Sequence, residues 1–449
     1  MKSSFRVLLC TLLAVGAGAS SAAVATDAVL APTPPMGWNS WDSFGPTIKE
    51  DEVKANADAM AAKLAKFGWQ YVVVDIEWFQ PNAHAHGYIP RGAVTMDEYG
   101  RFVPSPNRFP SAANGAGFKP LADYIHSKGL KFGIHIMRGI PREAVDRNLP
   151  IKGTSYHAAD VADKINVATW AAIEDTYGVD MSKPGAQAYY DSIAQLYSSW
   201  GVDLVKADDM SSPYRGPEIH ALSVALKKSG RPIVLSLSPG PAPVAKYDDL
   251  KANAQMWRIS NDFWDRWIDV RKQFDLMKEW QGKVHRGGWP DADMLPLGHI
   301  GIRAERGVDR ASLLTHDEQY TLMSMWAIFR SPLMLGGDIP SSDAFTIGLL
   351  TNPEVLDVNR HSENGREVYR QGETISWIAD VPGSTAKYLT VSNIGSTERK
   401  VQLPWQSLGI HAKTVKVRDL WMHKDLGSRD GFAMSLAPHA TVLLKVAAQ

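Results

Sequence analysis

Cysteine is almost missing from this chain. The one cysteine in 449 residues, Cys10, lies in the N-terminal apolar stretch, so the rest has neither disulfides nor thiolate metal ligands. A charge excess is missing too, since 48 lysines and arginines balance 48 aspartates and glutamates. A nucleic-acid or anionic-membrane partner would ask for a basic surplus. There is no low-complexity segment and no charge run. Paired histidines at strand ends, which a metal-dependent hydrolase would show, are also lacking. The single His-x-His is His84 and His86 in "NAHAHGY", a loop sequence. What is present is ordinary globular composition, 45% apolar and 21% charged, long enough for one large domain and a smaller one. Fifteen tryptophans and fourteen tyrosines stand out. Their faces suit sugar rings, although a large aromatic core would use them equally well.

The N-terminus, "MKSSFRVLLCTLLAVGAGASSAAVA", starts positive with Lys2 and Arg6. A short apolar region, Val7 to Ala17, follows, and then Ala23 and Ala25 in a small-residue cleavage pattern. The apolar run is too short to span a bilayer. The expectation is an export signal over residues 1–25, removed near Ala25, which sends the protein to a periplasm or the medium with no membrane segment left.

Eight strand candidates alternate with helical patterns: 36–41, 71–78, 131–137, 202–209, 232–238, 256–262, 284–295 and 332–338. Several are near-continuous apolar runs, as parallel strands covered on both faces require. Helical spacing marks 118–129, which ends on a glycine suited to a C-cap, and 185–201. The predicted architecture is α/β, a (β/α)8 TIM barrel over 26–357, with a doubly wound open sheet as the alternative. Beyond about Arg360 the segments "REVYRQ", "TISWIAD", "KYLTVSNI", "KVQLPW" and "HATVLLKVA" are short and separated by turn-formers such as "VPGST" and "GSRDG". They predict a C-terminal antiparallel β-sandwich over 358–449, with the boundary within 352–362.

Charges sit where the predicted strands end. "VDLVKADD" carries Lys206 and Asp208 in phase, while Asp209 points elsewhere and could cap the next helix. "YVVVDIEW" puts Asp75 and Glu77 in phase, "WRISND" adds Arg258 and Asp262, and "GGWPDADML" adds Asp291 and Asp293. In a TIM barrel these ends form the mouth, where catalytic groups belong. A loop carboxylate or a plain ion pair would explain any one of them. Several converging carboxylates with two cations point instead to a site, and two carboxylates suit glycoside hydrolysis best. A carbohydrate-binding barrel without activity is the competing reading, but a pure binder has no use for both Asp208 and Asp262.

"PPMGWNSWDSFG", "YVVVDIEW", "GLKFGIH", "WGVDLVKADD", "WRISND" and "GGWPDADML" occur in an order and spacing that resembles the melibiase-type glycoside hydrolases, family 27. The resemblance covers nearly the whole chain after the signal, sandwich included. It implies a retaining exo-glycosidase, most commonly an α-galactosidase, acting on oligosaccharides or polysaccharide side chains with no metal or organic cofactor. It places Asp208 as nucleophile and Asp262 as acid/base. Trp41 matches the residue that packs on the sugar, Asp75, Lys206 and Arg258 match hydroxyl-binding residues, and Asp293 joins the substrate-binding set. Three positions depart from the α-galactosidase pattern. Ile76 follows Asp75 where a second aspartate is usual, Ser238 replaces a glutamate, and His135 replaces a tyrosine. The departures resemble the branch that includes β-L-arabinopyranosidases, some of them dual with α-galactosidase; isomalto-dextranase is another family activity.

Overall fold

The computed structural model describes residues 1, 29–167 and 173–448. The expected export signal lies almost wholly outside the described residues.

Eight parallel strands form one sheet: β1 Met36–Asn39, β2 Tyr71–Val74, β3 Lys131–Met137, β4 Leu204–Asp208, β5 Val234–Leu237, β6 Met256–Arg258, β7 Trp289–Asp291 and β8 Leu333–Leu335. Each lies within a predicted segment. Their spatial order follows the chain, with β8 beside β1. A parallel bridge between Leu295 and Leu335 joins the end of β7 to β8 and closes the ring. An open doubly wound sheet has no such closure, so the TIM-like barrel stands.

Strand alternation sorts the side chains. Val72 and Val74 of β2 face outward into the large cluster shared with the helices, while Tyr71 and Val73 face inward. The inward set continues with Leu204, Val234, Met256, Trp289 and Met334 to make an apolar floor inside the barrel. The helices follow the predicted spacing. Lys119–Ser127 is trailed by Gly129 at φ 74°, and Ala186–Trp200 is capped by Gly201 at φ 82°, a conformation glycine adopts without strain. Gly37 of β1 has another reason to be glycine, since a Cβ there would lie 2.4 Å from the Tyr71 carbonyl oxygen on β2. Gly37→Ala is therefore expected to cost about 1–3 kcal/mol through forced strand separation, read as a lowered Tm.

The C-terminal part begins after the helix Pro353–His361. A six-stranded antiparallel sheet runs in the order 363–371, 374–380, 387–393, 441–448, 415–419, 424–429, and a two-stranded sheet pairs 399–404 with 431–436. Ile378, Leu389, Val391, Val401, Trp405, Phe432 and Leu444 fill the space between. Three of these strands escape the sequence reading: Val415–Asp419, Lys424–Arg429 and Gly431–Leu436. "GSRDG" is correspondingly not a turn throughout, because Gly427–Arg429 still pair with 415–417. Lys424–Arg429 is an exposed edge strand, so no apolar alternation marks it. The buried helix His316–Phe329 packs the sandwich onto the barrel, and Thr321 donates to the His439 carbonyl at 2.6 Å.

Candidate active site

The inward rows change from apolar to charged near the strand ends. On β4 Leu204 is followed in phase by Lys206 and Asp208, and on β6 Met256 is followed by Arg258. Asp75 continues the Tyr71–Val73 row and Asp293 the Trp289–Asp291 row, each just beyond its strand. A buried strand can end in ions only where a polar space receives them, and a cavity does so here. A pocket of about 410 Å³ opens at this end of the barrel, lined by Trp41, Asp75, His135, Lys206, Asp208, Arg258, Asp262 and Asp293 among others. Eight of the ten predicted site residues thus meet in one place.

The other two lie nearby. Ser238 lines a smaller cavity of about 20 Å³, together with Lys206, Arg258 and Asp293, and its hydroxyl is enclosed without a partner among the described residues. Ile76 is 1% exposed and belongs to the outer apolar cluster, and it is not among the side chains on the pocket wall. Strand β2 ends at Val74, so the expected alternation of Asp75 with Glu77 ends there too. Glu77 is fully buried away from the pocket, with both carboxyl oxygens unpartnered among the described residues. Asp209 also departs from expectation. It caps no helix but accepts from buried Arg138 at 2.8 Å, and the helix that follows starts at Gly216 without a side-chain cap.

Two ion systems organise the pocket. Lys206 Nζ and Asn39 Nδ2 both donate to Asp75 Oδ2, at 2.8 and 2.6 Å. Asp208 has His135 Nε2 at 3.2 Å from Oδ2 and the Asp209 backbone N–H donating to Oδ1 at 2.9 Å. Burial opposes ionisation of both carboxyls, but Lys206 and the neighbouring hydrogen-bonding groups outweigh it. Asp208 is held well below the usual carboxylate range by His135, Lys206 and the Asp209 N–H. Asp75 is held low by Lys206, His135 and Asn39.

On the other side Arg258 Nη2 lies 2.7 Å from Asp293 Oδ2, which also accepts from the Phe263 N–H at 2.8 Å. Burial pushes Asp293 up to about 7 against the pull of Arg258. The same guanidinium lies 3.4 Å from Asp262 Oδ1. The Asp262 side chain is 57% exposed where that of Asp208 is 15% exposed. One carboxylate is thus fixed and ionised deep in the pocket, and the other stands at the rim in reach of solvent. Trp41 stacks on Tyr88 with ring centroids 6.1 Å apart, forming an aromatic wall.

Sequence reasoning missed Asp42, Met137, Pro239, Asn261, Phe263, Trp264, Met294 and Arg306, which also line the pocket. All of these but Arg306 sit within two residues of predicted positions, so adjacency was the available signal.

Glu77 offers a separate test. Burial, then the nearby Asp175 charge, pushes its carboxyl up to about 8, and Arg108 only partly offsets this. Between an unfolded value near 4.5 and about 8 the folded state holds a proton that the unfolded state has lost, so stability falls as pH rises through that window. Glu77→Gln removes this component. Wild type is expected to lose about 2 kcal/mol or more relative to the variant between pH 5 and pH 8, measured by denaturant titration at both pH values.

A barrel mouth that keeps one carboxylate ionised, sets a second at the rim and walls the space with aromatic rings defines a glycoside hydrolase. Comparison places the chain within that class. It belongs to the melibiase family, glycoside hydrolase family 27: residues 33–143 and 171–361 match the family described as alpha galactosidase A, and 371–446 match its C-terminal beta sandwich domain. The structure of a β-L-arabinopyranosidase from Geobacillus stearothermophilus is similar, with 50% identity, a TM-score of 0.91, and coverage of 93% of this chain and 97% of that one. A putative alpha-N-acetylgalactosaminidase from Bacillus halodurans has 44% identity and a TM-score of 0.83, covering 93% of this chain and 97% of that one. The alpha-galactosidase of Cyamopsis tetragonoloba is 30% identical over 88% of this chain and 81% of its own length.

Proposed function

We propose that this protein is an exported, retaining exo-glycosidase that removes terminal β-L-arabinopyranosyl residues, and α-galactosyl residues less well, from oligosaccharides or polysaccharide side chains. The observation that carries this reading is the unequal pair: Asp208 buried and ionised, Asp262 exposed at the rim. Asp208 attacks the anomeric carbon as the bond to the leaving oxygen breaks, and Asp262 gives its proton to that oxygen. Asp262, now a base, takes a proton from water, whose oxygen displaces Asp208 and restores both groups. This double displacement calls for carboxyl groups about 5–5.5 Å apart. His135 and Lys206 favour the charge that Asp208 needs for the attack.

β-L-Arabinopyranose is α-galactose without the C6 hydroxymethyl group. Apolar Ile76 beside Asp75 removes an acceptor that a hydroxymethyl group would use, and the 50% identity to an arabinopyranosidase supports the same sugar. The test is a panel of aryl β-L-arabinopyranoside, α-galactoside and α-glucoside, with the anomer of the first-formed sugar followed by NMR. The highest kcat/KM is expected on the arabinopyranoside, with configuration retained. An inverted product overturns the mechanism, and a preference for the α-glucoside overturns the substrate in favour of an isomalto-dextranase-like activity. Export rests on the charged, apolar and small-residue order of residues 1–25. Its check is the N-terminal residue of protein recovered outside the cytoplasm, expected close after Ala25.

A further inference from the structure

Asp42 is a pocket carboxyl to which the double displacement assigns no task. It follows Trp41 in the short helix Trp41–Phe44 at the end of β1, is 1% exposed, and lines the main pocket. Its Oδ2 is enclosed and has no hydrogen-bond partner among the described residues. A buried polar oxygen left in this state needs a reason.

The surroundings hold the carboxyl in place. The Asp42 carbonyl accepts from the Gly301 N–H at 2.8 Å, and the Trp41 N–H donates to Asn39 Oδ1 at 2.9 Å. The Ser43 hydroxyl donates to the Gly336 carbonyl at 2.7 Å, which ties the helix to the end of β8. At Gly336 itself a Cβ would come within 1.8 Å of Asp42 Oδ2, so a glycine there leaves the room that the carboxyl occupies.

Barrel topology says which part of a sugar this group can reach. Asp208 ends β4 and Asp262 follows β6, so the reacting carbon lies on their side of the mouth. Asp42 follows β1, across the ring of strands from them. We infer that Asp42 is a specificity-determining residue whose carboxyl group hydrogen-bonds a hydroxyl of the terminal sugar on the ring edge away from the anomeric carbon, at O3 or O4. The inference rests on the glycosidase reading above. Charge decides the direction of the bond. The groups facing Asp42 are Asp293, Asp265 and Asp75, which disfavour its ionisation, and Lys206, which favours it; burial is the largest influence and keeps the proton on. Asp42 is thus a donor among acceptors, and arabinopyranose and galactose present it with the same hydroxyls.

The experiment compares wild type, Asp42→Ala and Asp42→Asn on the aryl β-L-arabinopyranoside and its 3-deoxy and 4-deoxy analogues, with L-arabinose binding by calorimetry. Asp42→Ala is expected to lose about 10- to 100-fold in kcat/KM and to bind L-arabinose more weakly by a similar factor. Asp42→Asn, which keeps an N–H donor, recovers most of that loss. On the deoxy analogue that lacks the contacted hydroxyl, Ala and wild type become equal. Wild type also loses activity as rising pH takes the proton from Asp42, on a limb that the Asn variant lacks; a purely structural residue would not move that limb. Equal L-arabinose binding by wild type and Asp42→Ala overturns the inference, as does an Asn variant that is no better than Ala. If Ala does not fold, the Asn variant and the pH limb decide alone. Wild type inactive on every glycoside would instead overturn the functional reading.

Discussion

Asp208→Asn is expected to abolish turnover of every substrate, activated aryl glycosides included, with kcat lowered by about four orders of magnitude or more. The side chain keeps its size and its contacts with His135 and the Asp209 N–H, but an amide cannot form the glycosyl ester on which double displacement depends. Asp262→Asn has a different signature. Its task in the first step is to protonate the leaving oxygen, so a leaving group that departs as a stable phenolate needs it little. Expected are near-normal first-step rates on such glycosides, a slow second step because the general base is missing, and a loss that grows as the leaving group becomes more basic. Pre-steady-state release of the aryl alcohol separates the two steps. If both variants lose activity equally across leaving groups of different basicity, the roles of Asp208 and Asp262 are wrong.

Much of this site is legible in the amino-acid sequence. The apolar body of "VDLVKADDM" can be buried only if its charged end reaches a polar space, and strand alternation puts Lys206 and Asp208 on the same side as Leu204. The eight barrel strands follow from the same reasoning, because strands covered on both faces advertise themselves as apolar runs. Alternation loses its authority once the strand stops. Beyond Val74 it mispredicts Glu77, and beyond Asp208 it leaves Asp209 as a helix cap when its partner is Arg138, a residue 71 positions earlier. Local pattern carries no trace of such a contact. Asp42 escapes notice for a related reason. Its burial depends on Gly336 and Ser43 meeting between the ends of β1 and β8, and nothing within the "WNSWDSFG" segment distinguishes it from an exposed carboxylate on a short helix. The edge strand Lys424–Arg429 has too little buried surface to leave a pattern at all.

Ile76→Asp is expected to raise the ratio of α-galactosidase to β-L-arabinopyranosidase activity about ten- to hundred-fold. Asp75 already has both of its oxygens engaged: Oδ2 by Lys206 and Asn39, and Oδ1 by the Ile76 backbone N–H at 2.9 Å. A hydroxymethyl group arriving beside it finds no second ionised acceptor, because Asp42 keeps its proton and neither Glu77 nor Ile76 reaches the pocket wall. When water is excluded, O6 of galactose is left poorly paired, whereas arabinopyranose has no O6 to satisfy. An aspartate at position 76 changes this balance. Kept in the apolar cluster that Ile76 now occupies, its charge would be strongly disfavoured, so the carboxylate is driven toward the wet pocket next to Asp75. There it can accept from O6. The same substitution empties an apolar site and adds a like charge beside Asp75, so a lower Tm accompanies the switch. The measurement is kcat/KM on both aryl glycosides for wild type and variant at matched folded fraction. A wild type that strongly prefers the α-galactoside, together with a variant whose ratio does not move, would remove Ile76 from the account of specificity.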